Sequence, residues 1–200
     1  MAHIGIVGAG LGGLSAAIRL AAAGHSVHVF EKQSGPGGKA FTEQIAGYRF
    51  DTGPSLITYR NVFEQLFSEA GRRMEDYLEI RPLDAICNYF YPDGTRLKSY
   101  QSPVQMAREF EQVLSESPEN LFRYLDYSRR ISDITTDLFL WHSLHEWSTY
   151  GTKTFWRSLV QLPGIDPLRT MAKANESFFQ SPRLRQLFNR YATYNGSSPF

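Results

Sequence analysis

Cysteine is almost missing from this sequence. Cys87 stands alone in 200 residues, which excludes a disulfide framework and a cysteine-built metal centre. It fits a reducing, cytoplasmic setting. Long apolar runs are missing as well, since no stretch reaches the roughly 18 apolar residues of a membrane-spanning helix. The apolar opening ends in Ala21-Ala22-Ala23 like a signal-peptide cleavage site, yet no Lys or Arg precedes it and Arg19 interrupts it. It is read as fold, not as an address. Net charge is only +1, which speaks against a nucleic-acid binder. His142 and His145 have no evident third ligand, so no metal is assigned. Repeats and low-complexity linkers are absent too.

What is present suits a globular protein, with 42% hydrophobic and 20% charged residues. The charge is uneven. Residues 101–150 carry four basic and eight acidic side chains, and residues 151–200 carry seven basic and two acidic. A basic stretch of this kind is either a solvated helix face or a surface that meets an anionic membrane or a phosphate.

The first thirty residues hold the strongest signal. Ile4 to Val7 reads as a short buried strand, Leu14 to Ala23 as a helix closed by Gly24, and Ser26 to Phe30 as a second strand. Two parallel strands joined by a helix form a right-handed βαβ unit. Between strand and helix lies Gly8-Ala9-Gly10-Leu11-Gly12-Gly13, a G-x-G-x-x-G turn in its required setting. Its first glycine permits the tight turn, its second lets a pyrophosphate approach the backbone, and its third lets helix and strand pack closely. The helix end then offers N–H groups and partial positive charge to phosphates. Glu31, at the end of the second strand, can accept hydrogen bonds from an adenosine ribose and would repel the 2′-phosphate of NADP. The turn itself does not choose between NAD and FAD.

Further along, Ser34 to Gly38 is a glycine-rich turn, Tyr48 to Asp51 a short strand, and Val62 to Ala70 a helix that Gly71 can cap. Ile86 to Tyr91 and Thr95 to Tyr100 flank Pro92-Asp93-Gly94, a hairpin signal. Ser102-Pro103, Ser117-Pro118 and Ser181-Pro182 each open a helix. The second has a stripe through Leu121, Tyr124, Leu125, Ile131, Ile134 and Leu138. Phe139, Trp141, Trp147, Tyr150, Phe155 and Trp156 crowd together, which core packing, a tunnel mouth or a bilayer interface would each explain.

Lys32 to Ala40 (KQSGPGGKA) and Phe50 to Thr58 (FDTGPSLIT), with the first thirty residues, resemble the bacterial phytoene desaturase family of the flavin amine oxidase superfamily. Gly71 to Tyr77 and Arg190 to Pro199 also look like that family. The likeness is weakest from about residue 100 to 180. It implies an α/β fold: a Rossmann-like FAD domain with an inserted β-hairpin and a mainly helical substrate-domain portion. It implies noncovalent FAD, bound by Gly8, Gly10, Leu11, Gly12, Gly13, Glu31 and Lys32. It also brings Gly37, Gly38 and Lys39 near the pyrophosphate or ribose, and Gly53, Pro54 and Ser55 toward the flavin end. Residues 1–80 are then the first part of the FAD domain and 81–200 part of the substrate-binding domain. Because residues 101–200 offer few further parallel strands, the sequence is expected to be the front of a longer protein and inactive alone.

The expected reaction is desaturation of a long isoprenoid hydrocarbon, a carotenoid precursor, with peripheral membrane contact and no nucleic acid. Other readings stay open: a flavin oxidase of amines, a carotenoid isomerase, or a non-enzymatic binder of prenylated proteins like the dissociation inhibitors. No catalytic residue is assigned.

Overall fold

The protein is described by a computed structural model covering residues 1–54 and 56–200. The side chains at 137, 140 and 141 are not described, so Ser55 and the Trp141 side chain of the aromatic group lie outside the described residues. The chain divides into two compact units, residues 1–81 and 82–200.

In the first unit, β1 (His3–Val7) and β2 (Ser26–Phe30) pair in parallel, from His3 opposite Ser26 to Val7 opposite Phe30. The connecting helix α1 (Leu11–Ala22) covers one face, as its helix formers and small residues allow. The strands are as expected but their burial is not: Val7 is 91% exposed and Phe30 62%. A two-stranded sheet covered by one helix leaves its other face and its edges open. After a 3₁₀ turn (Gly38–Ala40), β3 (Thr42–Ile45) and β4 (Tyr48–Asp51) form an antiparallel hairpin. Helix α2 (Arg60–Glu69) follows and is tied to α1 by the Arg19–Glu69 ion pair at 2.6 Å.

The second unit opens with the hairpin of β5 (Ala85–Phe90) and β6 (Arg96–Tyr100), turning through Pro92-Asp93-Gly94. Helices then dominate: α3 (Pro103–Leu114), α4 (Pro118–Trp141), α5 (Trp147–Tyr150), α6 (Lys153–Val160), α7 (Met171–Phe178) and α8 (Pro182–Asn189). Ser102 caps α3, its hydroxyl accepting the Gln105 N–H at 3.4 Å. The core gathers Leu97 from β6, Phe110 from α3, Leu121 from α4, Phe179, and Leu184 and Phe188 from α8. Phe179 and Phe188 stack with ring centroids 4.6 Å apart. Each such side chain contributes about 1.5–3 kcal/mol through burial.

Glu116, 2% exposed, joins the α3–α4 turn to the start of α8. Its carboxylate accepts the Gln180 N–H at 3.0 Å, the Ser181 N–H at 2.8 Å and the Asn120 amide at 2.6 Å. Backbone N–H groups at a helix start have no intrahelical acceptor, and this side chain supplies one. The aromatic group from the end of α4 to α6 departs from plain core packing, with Phe139 56%, Trp147 89% and Trp156 58% exposed.

Candidate functional site

The glycine turn is held in shape before any ligand is considered. The Gly8 N–H donates to the Phe30 carbonyl at 2.7 Å, which ties the turn to the end of β2. Gly13, one turn into α1, has its Cα directly under that loop: a Cβ built there would collide with the Gly8 carbonyl oxygen. This is the close helix–strand approach for which the third glycine of the motif is needed. Gly12 faces open space, and a Cβ at that position would meet nothing within 4 Å.

Gly10 is the N-cap of α1, so no side chain blocks that end, and no acidic residue lies in the first turn. The Leu14 N–H donates to the Gly10 carbonyl at 2.9 Å. The preceding amides of Leu11, Gly12 and Gly13 therefore have no intrahelical acceptor, and together with the helix dipole they suit a phosphate.

Glu31 stands at the mouth of the turn. One carboxylate oxygen accepts the Ala9 N–H at 2.7 Å and the other accepts the Gln33 N–H at 2.9 Å. These two donors, Gln33 first and then Ala9, hold its carboxyl below the ordinary glutamate range. Each oxygen keeps a second lone pair, so the carboxylate can brace the loop and still accept from a hydroxyl.

The second glycine turn packs on the first. The Gly37 N–H donates to the Ala9 carbonyl at 2.8 Å. Gly38 has a positive φ of 59°, and a Cβ there would stand 3.0 Å from the Gly10 Cα. Gly53 is tight against the same segment, where a Cβ would collide with the Lys39 carbonyl oxygen.

A cavity of about 650 Å³ opens at this junction. Of the residues expected from sequence, Gly8, Gly10, Glu31, Lys32 and Gly38 line it. Leu11, Gly12, Gly13, Gly37, Lys39, Gly53 and Pro54 lie outside its walls, in the turns that support it or beside them. Ser55 lies outside the described residues. Sequence reasoning missed Phe41, Glu43 and Thr52, which the β3–β4 hairpin brings to the cavity. The Thr52 N–H and hydroxyl both donate to the Phe41 carbonyl, at 3.0 and 2.8 Å.

The second unit holds a separate recess of about 630 Å³, walled by Tyr89, Tyr91, Pro182 and Leu187 together with Arg185 and Arg190. The Arg190 guanidinium lies 5.3 Å from the Tyr89 ring centroid and donates to its hydroxyl at 3.1 Å. Burial pushes the Tyr89 phenol well above its ordinary value. Among the described residues, no three metal-ligating side chains come together, and no helix is long and apolar enough to cross a membrane.

Comparison with known proteins agrees with this geometry. Residues 6–70 match the family model of the NAD(P)-binding Rossmann-like domain. Over 195 residues the chain is 38% identical to a 1-hydroxycarotenoid 3,4-desaturase of Flavobacterium sp. (strain P99-3), covering 98% of this chain and 40% of that protein. It is 35% identical over 198 residues to a 4,4'-diaponeurosporene oxygenase of Staphylococcus aureus (strain USA300), covering 99% of this chain and 39% of that protein. The chain thus spans about two fifths of the length of these curated relatives. With a dinucleotide-type glycine turn at its start, the chain is similar along nearly all its length to proteins named as carotenoid oxidoreductases.

Proposed function

We propose that this chain is the cofactor-binding and part of the substrate-handling portion of an FAD-dependent oxidoreductase that introduces a double bond into a carotenoid precursor. The observation that carries the reading is Glu31 hydrogen-bonded to the glycine turn at 2.7 Å, in a chain similar throughout to a protein named as a carotenoid desaturase. The α1 start and Gly10 would hold the FAD pyrophosphate, and Glu31 the adenosine ribose. Lys32 and Lys39 would offset phosphate charge, with Gly37 and Gly38 keeping backbone close. Gly53, Pro54 and Ser55 belong toward the flavin end. FAD, when bound, would supply the hydride acceptor that removal of two hydrogens from adjacent carbons requires.

Substrate binding falls to the protein's own surfaces. A hydrocarbon offers no polar handle, so its affinity must come from apolar burial at ~25 cal/mol per Å². The Tyr89–Tyr91–Leu187 recess suits such a chain. Arg185 and Arg190 also line it, so a hydrocarbon would lie along its tyrosine, proline and leucine walls. A substrate of this kind partitions into lipid, which makes a peripheral membrane contact part of the proposal.

Anaerobic mixing of the full-length flavoprotein with a carotenoid precursor tests it. Bleaching of the flavin spectrum with a product lighter by two hydrogens is expected, and an unchanged spectrum overturns the reading. In a parallel incubation under air, a product gaining oxygen from dioxygen would instead point to the chemistry named for the Staphylococcus relative.

A further inference from the structure

Helix α8 and the turn that follows it carry three arginines with unequal partners. Arg183 is ion-paired with Asp93 of the β5–β6 turn. Arg185 and Arg190 have no carboxylate within ion-pair distance among the described residues. Both line the recess of the second unit, and no acidic side chain lines it with them. Two positive charges therefore face a concavity otherwise walled by aromatic, proline, leucine and neutral polar residues.

Each of these guanidiniums is held by the protein at one nitrogen. The Arg185 Nε–H donates to the Phe179 carbonyl at 2.8 Å, and an Arg190 terminal N–H donates to the Tyr89 hydroxyl at 3.1 Å. Arg190 also lies 5.3 and 5.5 Å from the centroids of the Tyr89 and Tyr191 rings. A guanidinium has five N–H donors, so each keeps donors for a further acceptor. Donors already fixed in place reduce the ordering cost of binding.

The chemistry of the acceptor follows from charge and shape. A hydrocarbon or an alcohol would leave both positive charges unbalanced beside apolar walls, where electrostatic interactions are stronger than in water. A carboxylate balances them, because its two oxygens match the guanidinium fork in charge-assisted hydrogen bonds. A diphosphate brings more negative charge than two arginines offset. The tyrosine, proline and leucine walls call for an apolar tail as well, since a bare carboxylate would leave them wet.

We propose that this recess is a binding site for a long-chain carboxylate. The apolar chain lies along Tyr89, Tyr91, Pro182 and Leu187, and the carboxylate is held by Arg185 and Arg190. Such a ligand uses the walls assigned above to a hydrocarbon, so the two would exclude each other. The inference stands on the recess alone and needs no flavin chemistry.

Calorimetric titration of the full-length protein with retinoate and retinol, and with palmitate and hexadecanol, decides the matter. Neither turnover nor flavin reduction is read, so failure here and failure of the desaturase reading remain distinct. At least one of the carboxylates should bind saturably, about ten-fold or more tightly than its matched alcohol. Retinoate as the tighter carboxylate assigns the site to isoprenoid acids, and palmitate as the tighter one assigns it to fatty acids. Arg190→Gln should weaken the carboxylate about ten-fold and leave the alcohol unchanged, while Arg190→Lys should keep most of the preference. The proposal is overturned if acid and alcohol bind alike, or if neither carboxylate binds saturably. It is overturned equally if Arg190→Gln weakens acid and alcohol by the same factor, the sign of a purely structural arginine, or if geranylgeranyl diphosphate binds more tightly than either carboxylate.

Discussion

Gly12 and Gly13 are neighbours of identical type with opposite constraints. A Cβ on Gly13 would strike the Gly8 carbonyl, whereas one on Gly12 meets nothing within 4 Å. Gly13→Ala is therefore expected to push α1 away from the turn, lowering the melting temperature and abolishing flavin retention. Gly12→Ala should be neutral or stabilising by up to about 1 kcal/mol, because alanine has the higher helix propensity. Thermal melts of the two variants side by side check this, and equal losses would contradict the packing argument. Glu31 makes a different kind of prediction. Its backbone donors favour the charged form, so its folded pKa lies below the ordinary value. Its contribution is therefore fully present above the ordinary glutamate pKa of about 4.3 and is lost only as pH falls through the lower folded value. The stability difference between wild type and Glu31→Gln should stay flat from neutral pH to about 5 and shrink below it. A carboxyl-carbon NMR titration of Glu31 checks the premise directly, and a midpoint at or above the ordinary range would refute it.

Elements of this chain are joined by contacts of very different sequence range, and Glu116 is the long-range case. Its carboxylate accepts from Gln180 and Ser181, 64 and 65 residues away. Glu116→Ala would leave those N–H groups unpaired in a buried site, with an expected loss of about 3 kcal/mol or more in urea unfolding. Gln should lose less, because its amide oxygen can still accept. Such a contact has no local signature, and nothing in the residues around Glu116 announces it. Helix starts are the opposite case: Ser102-Pro103 and Ser181-Pro182 were legible because cap and first turn lie within four residues. The βαβ unit was legible too, since its turn, helix and acid carry fixed spacings. Strand β3 was not, for Thr42-Glu43-Gln44-Ile45 holds one apolar residue, and only pairing with Tyr48–Asp51 makes it a strand. That gap hid part of the candidate site, because Phe41, Glu43 and Thr52 reach the cavity through this hairpin. Helix α6 was hidden for another reason, its Trp156 side chain being exposed rather than packed in the core.

The two units differ as wholes in how they are held together. Among the described residues of 1–81, the buried apolar side chains are Ala9 and Met74, while 82–200 has the Phe110–Phe179–Phe188 cluster and the leucines around it. Burial is the main stabilising term, so the first unit should open more readily, and its backbone amides should exchange with solvent faster than those of α3 and α8. A ligand that binds only the closed form stabilises it by RT ln(1 + [L]/Kd), about 2.7 kcal/mol at a hundred-fold excess over Kd. Bound dinucleotide should then slow exchange in residues 3–13 and 26–31 by about a hundred-fold at that excess, while α3 and α8 change little. Hydrogen-exchange mass spectrometry with and without FAD, with ADP as the flavin-free comparison, reads this segment by segment. Protection by both ligands places the adenosine half at the Glu31 turn, and extra protection around residues 50–54 with FAD alone would put the flavin end near Gly53. Protection confined to 82–200 would remove the dinucleotide from this turn altogether, and with it the physical basis for treating the family's chemistry as this protein's own.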